Sequence, residues 1–442
     1  MVYVKQNWLN SPNESTPVSA ARLSHLETQY DESVSYTKSS LTSKADLSYV
    51  QGEVSDLESS VSEKASIQYV NDAVQAAEGG FNRFVEGVPL FSYGHSYTMY
   101  PGPYSTPFGG EYQLRVGKRL GMGTVYSRGR SGTPAPDTFC LALGSTFTDG
   151  SSIDRTWVPG SRGVVMIQNY LNEAVRSDGG DPKFRDLWKR SMRSLIALIS
   201  SASIKTATNS VRRGTWSQYT STPNSPSFAK ADAYFSTSIG AEIDFTVPGD
   251  EVWILATASS SYALSDFEVR CNGVLLRTVA ANNTNTDYTS VVMPGHASTW
   301  WPCAYKVTGL NAAAGTSANK TVTIRAKTAT TMFVNGVMWP SATPPQIFLA
   351  KEPTRNPGAT SGNAAFVANR AAYEAMTDSL ASEFPNVHVV DLNPGWDNSR
   401  FVSSLDVSLN FHPNDLGMQD IAGKFVSGIE TVITEPINGV MT

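Results

Sequence analysis

An apolar segment ending at Phe91-Ser92-Tyr93 runs into Gly94-His95-Ser96-Tyr97, and far downstream the chain reads Asn410-Phe411-His412-Pro413-Asn414-Asp415-Leu416-Gly417. A serine just past a strand is a hydroxyl held at a sheet edge, and Gly94 lets the backbone turn sharply there. A histidine on a tight loop before a helix is an imidazole on a rigid support. Together they are the two parts of a nucleophile–base pair, in which the imidazole takes the hydroxyl proton as the oxygen attacks an acyl carbonyl. Sequence spacing does not bring them together, so the fold must. Two further segments suit the charge that develops on that carbonyl oxygen. Ser127-Arg128-Gly129-Arg130-Ser131-Gly132-Thr133 lets backbone N–H groups approach closely, and Gln168-Asn169-Tyr170-Leu171-Asn172-Glu173 brings side-chain amides.

The elements around these residues alternate. Residues 88–93 read as a strand, 112–120 as a helix stopped at Gly121, and 124–126 as the next strand. Residues 163–168 form a continuous apolar run, the mark of a strand buried on both faces of a parallel sheet. Residues 183–201 read as a long helix with Leu187, Trp188, Met192, Leu195, Ile196 and Ile199 on one face. From about 206 to 340 the pattern changes to short strands between Gly, Asn and Pro turns, among them 239–247, 251–256, 267–270 and 320–325. Cys271-Asn272-Gly273-Val274 supplies the Asn-Gly of a two-residue hairpin. This stretch predicts an all-β sandwich, jelly-roll-like, of about eight strands. Strand 346–350, a helix over 364–382 and strand 387–392 then resume the α/β rhythm. The sandwich is therefore inserted into an α/β domain, an arrangement tolerated where the ends of the insert lie close together.

Upstream, Thr16-Pro17-Val18-Ser19-Ala20-Ala21-Arg22-Leu23-Ser24-His25-Leu26-Glu27 predicts one short helix with Thr16 as cap and Pro17 at its first position. Trp8 and this segment resemble the N-terminal attachment segments of tailed-phage minor tail and fibre proteins. A capped surface helix is the plainer alternative. Lys44-Ala45-Asp46-Leu47-Ser48-Tyr49-Val50 is echoed twenty residues on by Lys64-Ala65-Ser66-Ile67-Gln68-Tyr69-Val70. Leu47, Val50, Val54, Leu57 and Val61 alternate three and four apart, which is a coiled-coil seam, restarted at Ile67, Val70 and Val74. So narrow a stripe needs partner chains. It resembles the stalk repeat of phage fibres, which implies a homotrimer; a single helix folded back on its own domain is the alternative. The division expected is 1–35 attachment segment, 36–80 coiled-coil stalk, 81–205 and 343–442 the two halves of the α/β domain, and 206–342 the sandwich.

The order of chemical segments resembles the SGNH (GDSL-type) hydrolase family over residues 88–204 and 346–430. The resemblance implies an α/β/α three-layer fold and hydrolysis of acyl esters, often on carbohydrate. It makes Ser96 the nucleophile and His412 the base, and puts Gly132 and Asn172 with the Ser96 N–H in the oxyanion hole. Asn169 is the runner-up for Asn172. Two positions depart from the pattern. The family's Gly-Asp-Ser is Gly94-His95-Ser96, so an imidazole that can carry positive charge stands where a carboxylate is usual. The family's Asp three residues before its His is Leu409. An imidazole without an orienting acceptor loses its preferred tautomer. Asp406 is the substitute if the loop bulges; a backbone carbonyl, or the more distant Asp391 or Asp397, are the other options.

Charge and composition narrow the partners. Lys+Arg 34 against Asp+Glu 39 gives a net charge of −5 with no basic run, which argues against nucleic acid. No apolar run is long enough to span a membrane. The N-terminus lacks the apolar core of a secretion signal. Cys140, Cys271 and Cys303 read as buried thiols, although the last two have the option of pairing. No His/Cys/Asp grouping has metal-ligand spacing, so neither metal nor cofactor is implied. His25, His296 and His388 read as ordinary helix, loop and strand residues. In the sandwich Trp300, Trp301, Tyr262 and Tyr305 suit either core packing or stacking on sugar rings. The combined expectation is a phage tail-associated esterase that deacylates host surface polysaccharide or glycolipid and joins other tail proteins through its N-terminus. It would be made in the host cytoplasm and carried on the virion tail. A catalytically inactive receptor-binding protein on the same scaffold is the alternative.

Overall fold

The computed structural model describes residues 20–41, 54–55, 84–98, 112–130, 135–143, 145–146, 152–153, 157–176, 179–219, 233–259, 265–280, 300–316, 319–354, 361–401 and 412–437. It divides into two units, Met1–Phe81 and Asn82–Thr442. In the first, a helix runs over Ala20–Leu41. It extends well beyond the short helix expected, because no glycine or proline interrupts residues 28–41. Leu26, Tyr30 and Tyr36 are exposed on it. The predicted coiled-coil seam lies outside the described residues except for positions 54 and 55, which are helical.

In the second unit five strands form one parallel sheet: β1 (Leu90–Gly94), β2 (Val125–Gly129), β3 (Val164–Gln168), β4 (Gln346–Lys351) and β5 (Val387–Asp391), in the order β5-β4-β3-β1-β2. All four pairings are parallel, and Gly94 lies in register with both Gly129 and Gln168. Val164, Val165, Met166 and Ile167 are wholly buried, which is why this strand reads as an unbroken apolar run. Each such side chain taken out of water contributes about 1.5–3 kcal/mol.

The helices of this part are α1 (Tyr112–Arg119), α2 (Ala135–Leu143), α3 (Leu171–Ala174), α4 (Pro182–Ile199), α5 (Ser361–Glu383) and α6 (Asp415–Val432). They fall into two sets: α2, α4 and α5 pack together with α3, and α1 packs on α6. Trp188 meets Tyr373 edge to face in the first set, and Tyr112 stacks on Phe425 in the second. The strand order reverses between β1 and β3, and the crevice at such a reversal, at the carboxyl edge of the sheet, is where open α/β sheets bind ligands.

Between α4 and β4 the chain builds two antiparallel sheets. One orders the strands Val274–Val279, Phe267–Cys271, Lys320–Ala326, Glu242–Val247 and Val211–Arg213. The other orders Trp300–Thr308, Glu251–Ser259, Met332–Pro340, Tyr234–Ser236 and Ser217–Gln218, with Ser201–Thr206 also paired to Met332–Pro340. That makes eleven strands among the described residues, more than the eight expected. The extra ones are short and carry no apolar alternation, as in Ser217–Gln218, where both residues are exposed. The hairpin at Asn272-Gly273 closes with two residues of positive φ, 45° and 85°, as a two-residue turn of this kind demands.

The strands that lead out of and back into the α/β part pair with each other: Ser203 lies opposite Trp339 and Thr206 opposite Gly336. Gly336 is required there, since a Cβ would sit 2.4 Å from the Lys205 carbonyl. This neck leaves α4 at its C-terminal end and rejoins the sheet where β4 begins, at the amino edge. From there the sandwich packs along α4, with Trp301, Cys303 and Phe333 against Phe184 and Leu187 near the start of that helix. Trp253 stacks on Phe384 at 5.2 Å. Trp301 is thus packed in the core and is not a sugar platform, whereas Tyr262 lies outside the described residues and Tyr305 is half-buried. The three cysteines are buried free thiols. His388 is half-buried on β5 and hydrogen-bonds Gln346 at 2.7 Å.

Candidate active site

β1 ends at Gly94, and the chain turns at once into a single 3-10 turn, Ser96–Thr98. The turn is tight because β3 crowds it: a Cβ on residue 94 would lie 2.3 Å from the Gln168 carbonyl oxygen and 2.7 Å from Thr98 Oγ1. Ser96 is thereby held at the carboxyl edge, at the β1/β3 reversal. The turn is fastened from below. The Tyr112 hydroxyl of α1 bonds Ser92 Oγ at 3.1 Å and Thr98 Oγ1 at 3.0 Å. Burial pushes that phenol up to about 12, so it stays neutral. Gln113 donates to the Thr98 carbonyl at 3.1 Å and to Ser127 Oγ at 2.7 Å, and Ser127 donates to the same carbonyl at 2.6 Å.

His412 arrives from the loop before α6. Asn414 caps that helix, accepting from the Gly417 N–H at 2.9 Å, while its amide donates to the Ser399 and Phe401 carbonyls at 2.5 and 2.9 Å. Phe401 and Pro413 form a β-bridge. Asp415 does not cap; it pairs with Arg115 of α1. Gly417 admits the approach of the preceding segment, since a Cβ would stand 2.3 Å from the Arg400 carbonyl oxygen. Residues 412–414 are therefore pinned against Ser399, Arg400 and Phe401.

His412 Nε2 lies 3.0 Å from Ser96 Oγ across 316 residues of sequence. Both residues are largely enclosed, Ser96 7% and His412 3% exposed. A hydroxyl at this distance can hand its proton to Nε2 when that nitrogen is the unprotonated one. Of the remaining predicted residues, Asp406 and Gly132 lie outside the described residues, as does Leu409. Asn172 sits half-buried on α3. Asn169, its runner-up, is buried at the end of β3; its amide donates to Thr138 Oγ1 of α2, and its carbonyl accepts from the Trp188 indole. Neighbouring Glu173 is wholly buried, and its Oε1 accepts from the Ala135 N–H at 2.7 Å, which ties α3 to the start of α2. Asp391 and Asp397 are exposed and hold local turns, at Asn393 and Ser399 respectively, so neither serves His412.

The imidazole that stands where a carboxylate is usual faces a carboxylate of its own: His95 Nδ1 lies 3.3 Å from the Tyr97 N–H, and Nε2 lies 2.8 Å from Glu352 Oε1. Glu352 was not singled out from sequence. It stands just past β4, wholly buried, and its other oxygen accepts from Gln168 Nε2 at 3.0 Å. Its backbone N–H donates to the Tyr170 hydroxyl at 2.6 Å. A charged residue directly after a buried strand, at the same edge as Ser96, is the signal that would have found it.

No group of metal-ligating side chains occurs among the described residues. No protein-family profile matches the chain, and no curated protein matches it. Among solved structures it is similar to the porcine torovirus hemagglutinin-esterase, at 7% identity over 77% of this chain and 88% of that one, with a TM-score of 0.35. It is also similar to a two-domain esterase active on acetylated mannans, at 12% identity over 62% of this chain and 94% of that one, TM-score 0.28. A family 35 carbohydrate-binding module from Clostridium thermocellum is similar over 30% of this chain and 94% of its own, at 13% identity and a TM-score of 0.22.

Proposed function

We propose that the protein is a serine esterase of the SGNH kind that removes acyl groups from carbohydrate. The observation that carries this is the 3.0 Å contact between Ser96 Oγ and His412 Nε2 at the carboxyl edge of a parallel sheet. Ser96 attacks the ester carbonyl and passes its proton to His412. The oxyanion so formed is met by backbone N–H groups at the turn and by Asn172 and the Gly132 segment. His412 then protonates the leaving sugar hydroxyl. A water, deprotonated by the same imidazole, clears the acyl group from Ser96. The two sets of helices on the five-stranded sheet suit the three-layer arrangement of that family.

The setting proposed is a phage tail, with host surface polysaccharide or glycolipid as substrate. It rests on the likeness of residues 8–27 to tail-attachment segments and on the seam at Leu47, Val50, Val54, Leu57 and Val61. Three chains wound along that seam would place three sites on one stalk, which raises local concentration at a surface without any new contact. Leu409, where the family has its Asp, favours a second reading, a receptor-binding protein that keeps the scaffold without turnover.

Chromogenic short-chain acyl esters and acetylated glycans separate the two. Ser96→Ala is expected to lower turnover by about a thousandfold or more while the protein stays folded. A fluorophosphonate should label the wild type and not the variant. Equal inactivity of both on all substrates would leave the binding protein as the answer.

A further inference from the structure

We propose that Glu352 and His95 form a positioning pair that sets the attack geometry of Ser96 and the seat of His412; this rests on the esterase reading above. The carboxylate of Glu352 is fully enclosed, with one oxygen on His95 Nε2 at 2.8 Å and the other on Gln168 Nε2 at 3.0 Å. These three residues come from the ends of β4, β1 and β3, so the carboxylate knits three adjacent strands at the edge where Ser96 stands. A buried polar cluster of this sort contributes little to stability alone, since apolar residues of similar size commonly do as well. What it fixes is orientation.

His95 then transmits that orientation to both partners of the reaction. It precedes Ser96 in the chain, and its Nδ1 holds the N–H of Tyr97, which follows Ser96. The imidazole therefore clasps the nucleophile's backbone from both sides. The Tyr97 ring stands edge-on to His95 at 4.7 Å and to His412 at 5.7 Å, so one wall of the His412 site is set by the same clasp. Tilting His95 moves the hydroxyl and the imidazole together. In this assignment neither Glu352 nor His95 touches the reacting atoms.

The test uses the full-length protein and a chromogenic short-chain acyl ester. Glu352→Ala is expected to lower kcat by about ten- to a hundredfold while KM stays within about twofold, because geometry and not substrate affinity is disturbed. Glu352→Gln keeps an acceptor for His95 and should recover most of the loss. His95→Gln, whose amide nitrogen still reaches Glu352, should outperform His95→Asn, which keeps only the acceptor for Tyr97. The double variant Glu352→Ala/His95→Asn should be no slower than the slower single variant, as for two parts of one unit. Should Glu352→Ala not fold, the His95 pair decides.

Unchanged kcat in Glu352→Ala, equal loss in His95→Gln and His95→Asn, or fully additive losses would each overturn the proposal. The titration of His412 followed by NMR separates this outcome from failure of the esterase reading. If the wild type turns over no ester, that reading falls, and the titration decides the pair alone. A midpoint displaced by Glu352→Ala upholds the pair, and an undisplaced one removes it.

Discussion

Glu173 is enclosed on α3 with Oε1 on the Ala135 N–H, and burial pushes its carboxyl from the ordinary 4.5 up to about 8, with nearby Glu352 and Asp137 adding to the rise and the Ala135 bond opposing it. At neutral pH the folded protein holds this group as a neutral acid, while the unfolded chain holds it ionised. Folding then binds an extra proton between about 4.5 and 8, so the group's contribution is fully present below 4.5 and is lost as pH rises through 8. Glu173→Gln keeps the acceptor for Ala135 and cannot ionise. Its stability relative to wild type should climb across that window, by up to a few kcal/mol at the alkaline end. Urea unfolding at pH 4.5 and pH 8.5 measures this, and a constant difference would refute it. Single residues were also where sequence served least evenly. Ser96 and His412 were legible because each sits at a strand exit or helix start that announces itself. Glu352 was not, because Lys351-Glu352-Pro353 reads as a polar loop until β1, β3 and β4 are seen side by side.

Helix α6 shows how an element delivers a side chain. Its first turn is pressed against the Arg400 carbonyl, and two of its three glycines, Gly417 and Gly423, have different surroundings. A methyl at Gly417 would meet that carbonyl oxygen at 2.3 Å and Pro413 Cβ at 3.0 Å, whereas at Gly423 it would find only Arg119 Nη1 at 3.5 Å. Gly417→Ala should therefore displace the His412 loop and reduce turnover by more than about tenfold. Gly423→Ala should instead stabilise the protein by about 0.5–1 kcal/mol through its helix propensity, with activity unchanged. Kinetics and thermal melts of the two variants read both effects; similar losses in each would show that the helix as a whole, and not the Arg400 contact, governs the loop. Long apolar or amphipathic elements were legible to within a few residues, as with β3 and α4. The strands Val211–Arg213, Ser217–Gln218 and Tyr234–Ser236 were not, since runs of two or three residues are too short to carry a periodicity. The helix Ala20–Leu41 was underestimated for a different reason: its later turns are polar, and only the lack of a breaker marks them as helical.

At the scale of the second unit, the insertion was legible from the change of rhythm, but its attachment was not. Sequence cannot show that Ser201–Thr206 and Met332–Pro340 pair with each other, or that Trp253 and Trp301 pack on the α/β part. Because one continuous apolar cluster takes in Trp253, Leu255, Ala304 and Met338 with the α/β core, the two parts should melt together. Calorimetry of the full chain is expected to show one transition for them, and Trp253→Ala should lower its midpoint without splitting it, at a cost of about 3–5 kcal/mol. Two separate transitions would mean that the interface is too weak to couple them. The insert also spans its support from end to end. It is tethered at the amino rim of the sheet, yet its strands climb back along α4 to Phe184, where that helix begins beside the opposite rim. The insert is thus fastened at both ends of α4, by the paired strands of the neck and by Trp301, Cys303 and Phe333, and a cut in the neck would not by itself set it free.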